Sequence, residues 1–266
     1  MVHVAVGQFA PGEDKEGNLA TVRALVADAA AQGAEVVLLP EYTMFTAPRV
    51  DSRFVAAAEP LDGAFVSGLG RIATEYGVHL VAGVNEALPG EERFVNTLVA
   101  LAPSGETTAW YRKLHLYDAF GVTESTVVAA GEIEEPRTFS RSGVTFGLQT
   151  CYDLRFPEVT RRIADAGADV LLLGAQWVPG PLKEDHWTTL TRARAIENTI
   201  YVAAAGQNAP TGAGNSMVVD PMGTVTAALG EQTGVALARI SADRLREVRE
   251  RNPALRLRRF GVTASE

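Results

Sequence analysis

Only one cysteine, Cys151, occurs in 266 residues. An intrachain disulfide framework is thereby excluded, and the usage fits a reducing compartment. Histidine is scarce as well. His3, His79, His115 and His186 are the four present, and they show no metal-ligand spacing, which disfavours a metal hydrolase. Positive charge is in deficit: Lys and Arg number 24 against 32 Asp and Glu, a net charge of -8. Nucleic acid is therefore not the default partner. No uninterrupted apolar run approaches the length that spans a bilayer, and residues 2–6 open as a strand instead of a basic, signal-like segment. The expectation is a soluble, cytoplasmic protein without a membrane partner. Repeats, low-complexity stretches and linker-like segments are also missing. A single domain over 1–266 is expected, because a chain of this length can bury one large core. The basic stretch 256–259 lies in a terminal tail, 253–266, expected at a subunit contact. No Gly-x-Ser-x-Gly elbow occurs, and Gly212-Ala213-Gly214 lacks the strand–helix setting of a nucleotide loop.

What is present is an alternation of strand-like and helix-like segments. Strands are predicted over 2–9, 36–39, 80–84, 97–101, 107–112, 144–150, 170–173, 201–205, 217–219, 224–228 and 235–240. Helices are predicted over 18–31, 64–76, 158–166, 183–198 and 242–251. Gly77 closes the second helix, and Asp220-Pro221-Met222-Gly223 reads as a hairpin turn. Continuously apolar strands alternating with helices imply sheets covered by helices. The longest irregular stretch is 114–135, and a loop of that length in a compact domain is often functional.

Three chemistry-bearing residues share one structural position. Glu41 follows the strand ending Leu38-Leu39-Pro40, Lys113 the strand ending Trp110-Tyr111-Arg112, and Cys151 the strand ending Leu148-Gln149-Thr150. In sheets with helical crossovers, ligands collect outside the carboxyl ends of strands. A carboxylate, an ammonium and a thiol meeting there are complementary: one takes the thiol proton and another stabilises an oxyanion. After Cys151 the run Tyr152-Asp153-Leu154-Arg155-Phe156-Pro157-Glu158 turns into a helix, with Pro157 in its first turn. A helix N-terminus beside the thiol is expected to lower its pKa.

The motifs Leu39-Pro40-Glu41-Tyr42, Tyr111-Arg112-Lys113-Leu114-His115-Leu116-Tyr117-Asp118 and Cys151-Tyr152-Asp153-Leu154-Arg155-Phe156-Pro157-Glu158 resemble those of the nitrilase superfamily of carbon–nitrogen hydrolases. Arg192-Ala193-Arg194-Ala195-Ile196-Glu197-Asn198 and Asn215-Ser216-Met217-Val218-Val219-Asp220-Pro221-Met222-Gly223 extend the resemblance over essentially the whole chain. It implies an α/β fold, a four-layer αββα sandwich of two mixed sheets. It also implies a Glu41–Lys113–Cys151 triad, a further glutamate matched by Glu124, no cofactor, and a homodimer or larger assembly. The subgroup it is closest to in pattern comprises amidases acting on deaminated glutathione and on ω-amides of keto acids. The expected substrate is then a small primary amide bearing a carboxylate. Hydrolysis of N-carbamoyl amino acids, aliphatic amides or nitriles, and amide-forming acyl transfer, are alternatives on the same scaffold.

Other readings compete at single positions. Tyr152 offers its N–H to an oxyanion. Arg155 either pairs with Glu158 or binds substrate, since arginine suits both. Trp177 either lines the pocket or fills the core. His115 is read as a supporting or core residue, although a Cys–His hydrolase would use His115 or His186 as its base. Glu132, Glu134 and Glu135 are read as solvated charges.

Overall fold

The computed structural model describes residues 1–264. Its strands form two mixed sheets. The first has the order β13(Gly234–Ile240), β1(Val2–Gln8), β2(Val36–Leu38), β3(His79–Glu86), β4(Phe94–Leu101), β5(Thr107–Arg112), with the short β6(Val128–Ala129) also on β4. The second runs β12(Val225–Ala228), β11(Met217–Val219), β10(Tyr201–Gly206), β9(Val170–Ala175), β8(Val144–Thr150), β7(Thr138–Arg141). Pairing is parallel among β1, β2 and β3 and among β8, β9 and β10, and antiparallel elsewhere except at β6.

The apolar strands are continuous because both of their faces are buried. Successive side chains point to opposite faces. On β1, Val4 and Val6 face the second sheet, packing in one cluster with Leu148, Leu172 and Ala203. Ala5 between them faces the helices α1(Lys15–Ala31) and α3(Ala64–Tyr76), through Val22, Leu25, Leu69 and Ile72. On β9 the same alternation sends Val170 and Leu172 inward, while Leu171 and Leu173 meet α4(Pro157–Asp165) and α5(Lys183–Asn198) through Ile163, Trp187 and Ala195. The result is four layers, helix–sheet–sheet–helix.

Local signals explain the boundaries. Helix α3 ends where Gly77 adopts φ 67, a left-handed cap that glycine adopts without a Cβ penalty. Helix α1 begins at Lys15, three residues before the predicted start, because the Asp14 side chain accepts from Glu16 N–H and caps it. The predicted hairpin turn joins β11 to β12, with Gly223 at φ 82 and its N–H donating to the Asp220 carbonyl. Short elements escaped the sequence reading: β6, β7 and α2(Ser52–Ala57), the last capped by Asp51. Helix α6(Ala242–Arg251) is charged on its outer side, and Leu245 and Val248 bury its other face. No helix among the described residues is long and apolar enough to cross a membrane.

The strand directions position the site. Strand β5 is two antiparallel steps from β3, so it runs the same way as β2 and β3. The chain therefore leaves β2 toward Glu41 and β5 toward Lys113 on one side of the sheet.

Candidate active site

The structure brings Glu41, Lys113, Glu124 and Cys151 together in one cavity of about 760 Å³. Backbone turns at the strand ends aim them there. Tyr42 and Cys151 adopt φ 56 and φ 44, left-handed values that non-glycine residues rarely take. At Cys151 the turn lifts the thiol off the end of β8 into a short 3-10 turn, Cys151–Arg155. At Glu41 the turn passes so close to β3 that a Cβ on Gly83 would lie 2.5 Å from the Tyr42 backbone nitrogen. Only glycine leaves that space.

The Lys113 ammonium is the hub. It donates to Glu41 Oε1 at 3.0 Å and to both oxygens of Glu124 at 2.9 Å. Its side chain is 2% exposed. Burial alone would neutralise the amine, but Glu124 and Glu41 outweigh it and hold Lys113 well above the ordinary lysine range. Burial likewise pushes the Glu124 carboxyl up, yet Lys113, the Tyr42 hydroxyl and the Tyr117 N–H together bring it below the usual glutamate value. The Tyr42 hydroxyl reaches Glu124 Oε1 at 2.6 Å. Glu41 is fixed from three directions: by Lys113, by Asn96 Nδ2 at 2.6 Å on Oε1, and by the Gln176 N–H at 2.6 Å on Oε2. Gln207 Nε2 also donates to the Glu41 carbonyl at 2.8 Å.

Cys151 departs from its expectation. The thiol's pKa is raised, not lowered: burial is the main cause, and the neighbouring Glu41 carboxylate adds to it against the opposing pull of Lys113. The five-residue 3-10 turn is a poor helix N-terminus, and α4 begins only at Pro157. The thiol lies 3.7 Å from the Gln176 carbonyl, with Glu41 beside it. A protonated thiol against a carboxylate needs that carboxylate as its base.

Tyr152, Arg155 and Trp177 all line the same cavity. Tyr152 meets Tyr117 edge to face at 5.1 Å between ring centroids. Arg155 makes no ion pair with Glu158 among the described residues; its guanidinium sits 4.9 Å above the Trp177 ring and 3.3 Å from His186 Nδ1. Trp177 is buried, with its indole N–H on the Lys183 carbonyl, so it both lines the pocket and packs in the core. His115 lies outside the cavity, with its Nδ1 2.7 Å from Asp153 Oδ1, and His186 also lies outside it. A Cys–His arrangement is thus not formed. Glu132, Glu134 and Glu135 are exposed, as the sequence suggested. Among the described residues no group of His, Cys, Asp and Glu could hold a metal ion.

Sequence reasoning passed over several participants. Asn96 and Tyr42 orient the two glutamates, and Lys183 stands in the cavity wall. Asp153 is fully buried and accepts from the Tyr111 hydroxyl at 2.7 Å and the His115 N–H at 2.9 Å, which pins the start of the 114–135 loop to the cysteine turn. The one available signal was a polar residue inside an apolar strand, as with Asn96 in Phe94–Leu101.

Comparison with known proteins gives concordant results. The carbon–nitrogen hydrolase family profile matches residues 3–250. Deaminated glutathione amidase of Escherichia coli O157:H7 is 40% identical over 258 residues, covering 97% of each chain. The NitFhit protein of C. elegans superposes with a TM-score of 0.88 at 31% identity, over 97% of this chain and 65% of that longer one. A mutant of the amidase from Nesterenkonia sp. AN1, of the nitrilase superfamily, carries the acetamide moiety of fluoroacetamide on its active-site cysteine. It is 28% identical, with a TM-score of 0.82, over 97% of this chain and 94% of that one.

Proposed function

Since the chain belongs to the carbon–nitrogen hydrolase family and is an amidase that hydrolyses an amide C–N bond, we propose that Glu41, Lys113, Cys151 and Glu124 carry out that hydrolysis through a thioester on Cys151. The observation that carries this reading is the Lys113 ammonium held between two carboxylates in the cavity that contains the thiol.

In this mechanism Glu41 takes the thiol proton as Sγ attacks the carbonyl carbon. The oxyanion is stabilised by Lys113 and the Tyr152 N–H. Its collapse breaks the C–N bond, and the amine leaves with the proton held by Glu41. Glu41 then takes a proton from water, which attacks the thioester. The second oxyanion collapses with C–S cleavage, and the sulfur recovers a proton from Glu41. Glu124 orients Lys113 throughout and keeps its charge in place. Tyr42, Asn96 and Gln176 hold the carboxylates where the proton must travel.

The substrate is a small amide that carries a carboxylate: a primary amide such as an ω-amide of a keto acid, or the secondary amide of deaminated glutathione. Support comes from the cationic Arg155 in the cavity, whose buried Nε has no partner among the described residues, and from the similarity to the deaminated glutathione amidase of E. coli. The protein acts in the cytoplasm as a homodimer or larger assembly. Ile196 on α5 and Phe260 in the terminal tail, 44% and 90% exposed, offer apolar contact surface.

Kinetics of three variants test the assignment. Cys151→Ala is expected to lose turnover with its fold intact. Glu41→Gln and Lys113→Ala are each expected to lose at least ~100-fold in kcat, the scale of a general base or an oxyanion donor. Turnover by purified Cys151→Ala refutes the nucleophile.

A further inference from the structure

Lys183 is a buried cation with no counter-ion among the described residues. It is the first residue of α5 and is 7% exposed. Its ammonium donates to the Tyr117 hydroxyl at 2.7 Å and makes no ion pair among the described residues. Elsewhere among the described residues the buried cations are matched: Lys113 by Glu41 and Glu124, Arg194 by Glu197 and the Leu154 carbonyl. Burying an ammonium that lacks an anion is costly, because water is removed and nothing charged replaces it.

A second cation makes the cost larger. Arg155 also makes no ion pair among the described residues, and its buried Nε has no partner. Both cations lie against the same two aromatic rings. The Lys183 ammonium is 4.2 Å from the Phe120 centroid and 5.7 Å from that of Trp177; the Arg155 guanidinium is 5.7 Å and 4.9 Å from them. Burial and then the nearby Arg155 depress the Lys183 pKa. Both side chains line the cavity that holds Cys151. Two like charges placed together, desolvated by aromatic rings and opening on the reacting thiol, form a site complementary to an anion.

We propose that Lys183 and Arg155 together form a subsite for the carboxylate of the substrate's acyl portion, and that Lys183 determines selectivity for anionic over neutral acyl groups. This deepens the functional reading above and rests on it. A primary amide expels ammonia, so a carboxylate on such a substrate belongs to the acyl portion, and the product is a dicarboxylate. Tyr117 and Trp177 fix the height of the ammonium in the cavity wall, and Phe120 covers it.

The test compares glutaramate with pentanamide, which differ by a carboxylate in place of a methyl group. The readout is the ratio of kcat/KM on the two, measured for the wild type, Lys183→Met, Lys183→Gln and Lys183→Arg. The wild type is expected to prefer glutaramate. Lys183→Met and Lys183→Gln are expected to lower the ratio at least tenfold, chiefly through KM for glutaramate, and Lys183→Arg to retain most of it. Lys183→Gln can still donate to Tyr117, so a folding defect in Lys183→Met leaves the test decisive. An unchanged ratio in either uncharged variant overturns the subsite while the carboxylate preference stands. A wild type that prefers pentanamide, treats the two alike or turns over neither sinks the preference itself, and the subsite with it.

Discussion

At the scale of single residues, Glu41, Lys113 and Cys151 drew attention because each follows the end of a strand, and the structure brings the three into one cavity. What the sequence could not convey was the thiol's surroundings. A turn into a helix suggested a lowered pKa, but burial and then the neighbouring Glu41 carboxylate raise it. A raised pKa leaves Cys151 protonated at neutral pH, and its thiolate fraction grows as pH rises. Alkylation by iodoacetamide is therefore expected to be slow at pH 7 and to accelerate steadily past pH 9, without a plateau. A titration midpoint below pH 7 in the rate profile contradicts this. Asn96 left one signal, a polar residue inside an apolar strand, but nothing local says that it faces a glutamate, and Lys183 left none.

Glu124 offers a second test at this scale. Its pKa is below that of an unfolded glutamate, so the unfolded chain binds more protons in the acid range. The stability it contributes is present above about pH 4.3, the unfolded value, and is lost as pH falls through the folded one. Thermal unfolding temperatures should drop on acidification, and Glu124→Gln should make that acid slope shallower. An identical slope in the two proteins removes Glu124 from the account of acid stability.

At the scale of elements, long periodic segments read correctly and short edge pieces did not. Helix 64–76 coincides with its prediction because its apolar face and its capping glycine agree. Strand β7 places only Phe139 in the core among its four residues, which is too few to show a pattern. Some element contacts are tied directly to the chemistry. Strand β3 can pass beneath the Glu41 turn only with glycine at position 83, since an added Cβ would press on backbone that has no rotamer to yield. Gly83→Ala is expected to destabilise by about 1–3 kcal/mol, the range for overpacking. It should also lower kcat, because the turn it displaces carries Glu41. A substituted enzyme with unchanged melting temperature and kcat contradicts the close approach.

At the scale of the whole molecule, alternating strands and helices announced helix-covered sheets. Their number and order were not written in any local stretch. Strand β13, the last in the chain, pairs with β1, the first, over seven register positions from Val2↔Ile240 to Gln8↔Gly234. A pairing across that sequence separation has no periodic signal, and only the family resemblance implied the paired sheets. Assembly belongs to this scale too. Exposed Ile196 and Phe260 are expected to be covered in a homodimer or larger oligomer, and sedimentation at micromolar concentration should show no monomer as the main species. A monomer there overturns the assembly.

The central claim is covalent: the acyl group of the substrate passes through Cys151. Acid-quenched mass spectrometry during turnover of a slowly hydrolysed amide reads it directly. The expected result is a mass increase equal to the acyl group on the peptide containing Cys151, absent in Cys151→Ala and decaying when the amide is exhausted. Steady turnover with no adduct at any time, or an adduct on another residue, contradicts the account.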